Sequence, residues 1–339
     1  MCAHAPPHLG FGRCRFRCPG GRASGSSIST STRPIVNILF ISWTRIGDAV
    51  LSTGVLSELI RRHPDAKITV VCGPLAATLF ANVPGLTRVI SLPKRLLNLH
   101  WLSLWLQVVG QSWGLVVDLR RSLTAYTVLA KQRRILGRTD QTQHRVAWLP
   151  SIIGLAAPLN PHLWISDSQH ARAAEILPED ARTLVIAPIA ARPEKTWSAE
   201  NFANLVSTVR APGAPCEGWR VLLVAGPGEE TQFQALIKVV PAEALVLLTG
   251  HPDLLVVAAV LARATLYIGN DSGLTHIAAA VDVPTLALFG PTNPQHYGPW
   301  SPHARVVDAP LVDGVRSIAE LSVGTVVTRV REMMGSQNS

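Results

Sequence analysis

The chain has 339 residues, 47% hydrophobic and 16% charged, which is enough apolar material for two cores and excludes a disordered or fibrous protein. No heptad persists, so a long coiled coil is excluded too. Lys and Arg outnumber Asp and Glu by 31 to 22, but Arg13, Arg15, Arg17, Arg22 and Arg33 fall in an acid-free stretch of 33 residues, leaving an excess of +4 on the remainder.

That remainder shows no basic stripe, so nucleic acid is not an expected partner. A modest positive excess suits anionic small molecules or an anionic membrane surface.

Residues 1–33 are rich in Gly, Pro, Ser and Arg and lack an apolar h-region, which reads as a disordered arm rather than a secretory signal. Three of the five cysteines (Cys2, Cys14, Cys18) lie there; Cys72 and Cys216 are isolated. Neither a disulfide framework nor a zinc spacing follows, which favours a reducing compartment.

From Pro34 onward strands and helices alternate. Ile35–Ser42 reads as a buried strand and Asp48–His63 as a helix closed by Pro64. Lys67–Cys72, Arg88–Leu92 and Leu115–Asp118 read as further strands, with Lys94–Trp113 helical between the last two. The plan repeats in Thr183–Ala187, Arg220–Ala225, Ala244–Leu248, Thr265–Gly269 and Pro284–Phe289. Such alternation predicts two doubly wound parallel sheets joined within 160–182, with ligands bound beyond the carboxyl ends of the strands.

Leu96–Val117 carries no formal charge, yet its Asn, His, Ser, Gln and Gly residues argue against a membrane span. Leu97, Trp101, Leu104, Trp105 and Val108 share one helical face behind Lys94 and Arg95. The stripe is either a core-packed helix or an interfacial one with a tryptophan anchor.

The first strand runs into Arg45-Ile46-Gly47-Asp48, where Gly47 would permit a tight turn. Asp48 is either a helix N-cap or a general base on a substrate hydroxyl. Tyr267 to Ala280 takes a strand through Gly269-Asn270-Asp271-Ser272-Gly273 directly into an Ala-rich helix. The backbone N–H groups of that helix start form an anion site suited to a diphosphate.

Asp271 and His276 can hydrogen-bond sugar hydroxyls or phosphate; alternatively Asp271 or Ser272 caps the helix and His276 is a buried polar residue. Phe289-Gly290-Pro291-Thr292 makes a rigid loop beside the same site. Lys195, in Arg192 to Trp197, offers a point charge to phosphate or is a solvated loop lysine. Glu229 and Glu230 follow another strand as a ribose contact or as turn acids. There is no GxGxxG, no phosphate loop, no GxSxG, no DxD pair and no HExxH.

In order and position these motifs resemble the bacterial heptosyltransferases of glycosyltransferase family 9. The similarity rests on Arg45 to Asp48, Arg192 to Trp197, Gly269 to Ala280 and Phe289 to Thr292, over about residues 35–325. The resemblance implies a GT-B fold, two Rossmann-like doubly wound domains facing across a cleft. On that plan 34–165 would bind the acceptor and 180–335 the nucleotide-sugar.

It further implies an inverting, metal-independent enzyme without a cofactor, transferring heptose from ADP-heptose to a lipid-linked lipopolysaccharide core acceptor. The expected setting is cytoplasmic, with peripheral contact at the inner face of the inner membrane. Asp48 would be the base and Lys195 would hold the diphosphate. Glu229 or Glu230 would contact ribose, and Asp271, Ser272, Gly273, Thr275 and His276 would form the sugar-diphosphate site.

Arg120, Arg121 and Arg145, among the arginines of the N-terminal half, would meet an anionic acceptor. One departure stands out: Pro188-Ile189-Ala190-Ala191 replaces the glycine or hydroxyl residues that family members often carry before the lysine loop, which removes phosphate hydrogen bonds. Two other readings remain at this stage, a GT-B-shaped sugar-nucleotide epimerase and a non-catalytic nucleotide-sugar-binding relative.

Overall fold

Apolar strands flanked by amphipathic helices fold as that alternation requires. The computed structural model describes residues 35–93, 96, 99–137, 142–179, 181–226, 228–250 and 253–335. The N-terminal arm, Lys94, Arg95, Leu97 and Arg138 lie outside the described residues, as do the side chains of Glu230 and Thr231.

The first sheet contains β1 (Asn37–Ile41), β2 (Lys67–Cys72), β3 (Leu86–Ser91), β4 (Trp113–Asp118) and β5 (Ala130–Ile135). They are all parallel, in the order β3-β2-β1-β4-β5. Between and after them come α1 (Ile46–Arg62), α2 (Leu99–Val108), α3 (Thr124–Thr127), α4 (Arg145–Trp148) and α5 (Asp167–Ile176).

The second sheet contains β6 (Thr183–Ala187), β7 (Arg220–Val224), β8 (Leu245–Leu248), β9 (Leu266–Asn270), β10 (Thr285–Phe289) and β11 (Ala304–Asp308). It too is parallel, in the order β11-β10-β9-β6-β7-β8. Its helices are α6 (Ala199–Val209), α7 (Gln234–Val239), α8 (Leu254–Leu261), α9 (Gly273–Ala280), α10 (Pro294–Tyr297) and α11 (Val323–Gly335). In each sheet the strand order reverses direction once, between β1 and β4 and between β6 and β9. These are the topological switch points where crevices open in doubly wound folds.

Local chemistry accounts for the pieces. In α6, Phe202, Leu205, Val206 and Val209 recur at helical spacing and are buried, while Ser198 caps the helix by accepting from the Asn201 N–H at 3.1 Å. The interior strands of both sheets are buried, largely Val/Ile/Leu runs because helices cover the sheets. One continuous core cluster runs from Ile38 and Val55 through Ala278 to Leu255, so the described residues from Ile35 onward pack as one compact unit.

Sequence and structure differ in three places. β5 and β11 were not anticipated, because both are edge strands with polar, partly exposed residues (AKQRRI and ARVVD) that carry no apolar run. The helix expected across Lys94–Trp113 is shorter. Trp113 instead opens β4, fully buried, its indole donating to the Val108 carbonyl at 3.1 Å.

Within α2 only His100, Leu104 and Val108 are buried; Trp101 and Trp105 are half-buried against the core, and leucines face outward. No helix among the described residues is long and apolar enough to cross a membrane. Cys72 and Cys216 are free and buried, and burial pushes both thiols up to about 12.

Candidate active site

Each switch point carries an ion pair. At the first, β1 ends at Ile41 and α1 begins at Ile46, which puts Asp48 in the first turn of the helix. Asp48 does not cap the helix: the N-cap is Arg45, which makes no side-chain capping bond. The Asp48 carboxylate instead accepts a hydrogen bond from Nη1 of Arg145.

Arg145 begins α4 and is held on three sides. Its guanidinium lies 4.6 Å from the Trp43 ring centre and 4.7 Å from that of Tyr297, and Nη2 donates to the Tyr297 hydroxyl at 3.2 Å. Trp43 and Asp48 belong to the first half and Tyr297 to the second, so Arg145 spans the cleft.

Gly47 does something other than permit a turn. A Cβ there would stand 2.5 Å from Cδ2 of His276, and a Cβ on Gly273 would stand 2.7 Å from the Ile46 Cβ. The two glycines let the starts of α1 and α9 touch. His276 is buried against Gly47 with its Nδ1 unpartnered. Burial lowers its pKa, against the raising influence of Asp271 and Asp48, so the ring is neutral at pH 7.

At the second switch point Lys195, from the loop after β6, donates Nζ to Oδ2 of Asp271, just after β9, at 2.5 Å. The pair is set by Asn270, whose Nδ2 donates to the Pro188 carbonyl at 2.7 Å and whose Oδ1 accepts from the Trp197 N–H at 3.1 Å. The lysine loop is thereby tied to the end of β9 at both of its ends. Gly290 packs beneath it, a Cβ there meeting the Glu194 carbonyl oxygen at 3.0 Å.

Ser272 stands at the N-cap of α9, but its side chain makes no capping bond and its hydroxyl is buried without a partner. The helix start thus keeps donors for an anion. Thr275 does not join them. Its hydroxyl donates to the Asn270 carbonyl at 2.5 Å and accepts from the Tyr267 hydroxyl at 3.0 Å, fully buried behind the site.

Glu229 accepts from the Gly226 N–H at 2.7 Å, so one carboxylate oxygen closes its own turn; the Glu230 side chain lies outside the described residues. Arg120 stacks over Trp101 at 4.4 Å, and Arg121 is exposed with φ +57°. Both are presented by a turn built on Asp118. Its carboxylate accepts from the Arg120 N–H and from the Ser122 N–H and hydroxyl, all at 2.7 Å, and burial raises its pKa.

Sequence reasoning read Asp118 only as a strand end and missed it as an organiser. It also missed the seam joining residues 143–145 to 296–298. There His296 Nδ1 donates to the Gln143 carbonyl at 2.6 Å, and His144 Nε2 donates to the Gly298 carbonyl at 2.9 Å. His144 Nδ1 accepts from the Val146 N–H, and burial lowers its pKa, so this ring is neutral. A cavity of about 390 Å³ bordered by Asn160, Ala279, Asp282 and Trp300 lies at the far end of α9, roughly 12 Å along the helix from Gly273.

The molecule's relatives have the same plan. A lipooligosaccharide heptosyltransferase 2 from Haemophilus influenzae is 24% identical over 317 residues, covering 80% of this chain and 88% of that protein. A family 9 glycosyl transferase structure from Veillonella parvula superimposes with a TM-score of 0.75 at 21% identity, covering 89% of this chain and 97% of that one. The structure of E. coli ADP-heptose lipopolysaccharide heptosyltransferase II gives 0.71 at 20% identity, covering 90% and 100%. These neighbours share the GT-B fold. The family model described as glycosyltransferase family 9 (heptosyltransferase) matches residues 110–313, more than half of the chain. The protein therefore belongs to glycosyltransferase family 9 and is a glycosyltransferase.

Proposed function

We propose that this enzyme transfers a heptose from a nucleoside diphosphate sugar, ADP-heptose, to a hydroxyl of a lipid-linked lipopolysaccharide core acceptor, by single displacement with inversion and without a metal ion. The observation that carries the reading is the pair of charged switch points, Asp48 with Arg145 at one and Lys195 with Asp271 beside the uncapped start of α9 at the other. The names of the relatives supply the sugar and the acceptor class.

In the reaction the acceptor oxygen bonds to the anomeric carbon, its proton passes to the Asp48 carboxylate, and the bond from that carbon to the diphosphate oxygen breaks. Negative charge grows on the leaving diphosphate. Lys195 and the N–H groups at Ser272 and Gly273 meet that charge, and one such donor is worth about 10²-fold in rate. Asp271 holds the lysine, His276 stands beside the sugar, and Glu229 or Glu230 takes the ribose. Arg120, Arg121 and Arg145 face the acidic acceptor. Thr275 braces the loop from behind.

The test is a transfer assay with ADP-heptose and a detergent-dispersed core acceptor in EDTA, with calorimetric titration of ADP, UDP and GDP alongside. Transfer in EDTA with selective ADP binding is expected, and the product linkage should have the opposite anomeric configuration to the donor. Preference for UDP or GDP overturns the donor, and a strict need for added Mg²⁺ overturns the metal-free mechanism.

A further inference from the structure

The first half carries an apolar ridge that stands exposed among the described residues. Leu99, Leu102 and Leu106 line one face of α2 and point to solvent, and Leu123, Tyr126 and Leu129 do the same around α3, which packs beside α2. Leu106 is 65% exposed and Leu123 80%. Isolated exposed leucines are ordinary; six on two touching elements are a patch.

The charge around the ridge has one sign. Between Asp65 and Asp140 the sequence has ten Lys and Arg and a single acid, Asp118, which is fully buried and turned onto backbone N–H groups. Arg88 donates to the Gln107 carbonyl of α2 at 3.0 Å, Arg133 to the Ala125 carbonyl of α3 at 2.9 Å, and Lys131 projects from the same face of the exposed edge strand β5 as Arg133. The cations therefore rim the leucines with no exposed acid among them.

We propose that this α2–α3 face docks on an anionic lipid bilayer, the leucines entering the headgroup boundary and the cations meeting lipid phosphates. The proposal rests on the reading that the acceptor is lipid-linked. Charge complementarity selects the occupant. A second copy would bring the same basic rim against itself. A protein partner would be met by a cluster of interface aromatics, whereas Trp101 and Trp105 turn toward the core and Tyr126 stands among five projecting leucines. The placement suits the chemistry: Arg120, stacked on Trp101, follows the carboxyl end of β4, and β4 pairs with β1, the strand that leads to Asp48. A docked molecule thus opens its acceptor side at the bilayer surface.

The test is flotation of the full chain with vesicles of equal parts phosphatidylglycerol and phosphatidylcholine, and with phosphatidylcholine alone, at low and high salt. Transfer to the detergent-dispersed acceptor is measured in parallel. The parent should bind the anionic vesicles at least tenfold better than the neutral ones, and high salt should weaken that binding. L99S/L102S/L106S should lose at least tenfold. R88E/K131E should lose about twentyfold or more, since each surface cation counts for about fivefold.

Both variants should keep the parent's melting temperature, ADP affinity and detergent-phase transfer, because none of these side chains reaches the site. Equal vesicle binding by parent and variants, no binding by the parent at low salt, or a concentration-dependent dimer or acidic-protein complex that the serine variant abolishes would overturn the docking face. Absent transfer with intact vesicle binding would instead overturn the proposed reaction.

Discussion

The ion pair at the second switch point is internal to its half: Lys195 and Asp271 come from adjacent loops of one sheet, their side chains only 14% and 7% exposed. At the first switch point Asp48 is 21% exposed, and its partner Arg145 touches Tyr297 of the other half as well. One pair is fixed by the sheet beneath it; the other registers where the two halves stand. On the proposed reaction, the side that meets the diphosphate is preformed, while Asp48, the proposed base, is aligned only when the cleft is in one arrangement.

The sharpest break of that contrast is Asp48→Asn, which keeps the shape and an acceptor for Arg145 but removes the base. Transfer should fall by about 10² to 10⁴-fold with ADP affinity unchanged; near-parental rates in a quenched-flow assay would exclude Asp48 as base. Lys195→Met should cost about 10² in kcat. It should also lower stability by about 3 kcal/mol, because a buried Asp271 carboxylate loses its partner. Restoring stability but not activity with Lys195→Met/Asp271→Asn, read by urea melts, would separate the two effects.

Two glycine substitutions sharpen the comparison. Gly47→Ala forces a Cβ onto His276 where the halves meet, whereas Gly54→Ala forces one to 2.4 Å from the Leu159 carbonyl, away from the site. Each should cost about 1–3 kcal/mol, but only Gly47→Ala should lower kcat beyond what unfolding explains. Arg145→Lys retains the charge and loses the stacking between Trp43 and Tyr297, so a fall of about tenfold is expected.

The smallest effect is in pH. His276 and His144 are held neutral with pKa values below the ordinary 6.5. The unfolded chain therefore binds more protons in acid, and stability should be full above about pH 6.5 and fall below it, at most about 1.4 kcal/mol per pH unit for each histidine. His276→Gln/His144→Gln should flatten the slope of melting temperature against pH; an unchanged slope would assign it to other groups.

Much of this was legible beforehand where burial writes itself into residue type. The interior strands and both loops that carry charge stand where apolar runs stop and Gly, Asp or Lys begin. Edge strands β5 and β11 were illegible because an edge needs no apolar run. Asn270 was passed over because its task is to bind backbone groups far away in sequence, which no local spacing reveals, and Asp118 because a carboxylate that closes its own turn looks the same in sequence as any acid at a strand end. Gly47 was singled out, but for a turn instead of for close approach, and Thr275 was placed among ligand contacts although a buried tyrosine had claimed it.

The meeting of α1 and α9 has a consequence of its own. With Ile46 against Gly273 and Gly47 against His276, the amino ends of two helices of 17 and 8 residues meet. Each end carries roughly half a positive charge, so the potential where they meet favours an anion before any side chain makes contact. On the proposed reaction, capture of the nucleotide is then a steered encounter, its association rate falling as ionic strength rises while its dissociation rate hardly moves.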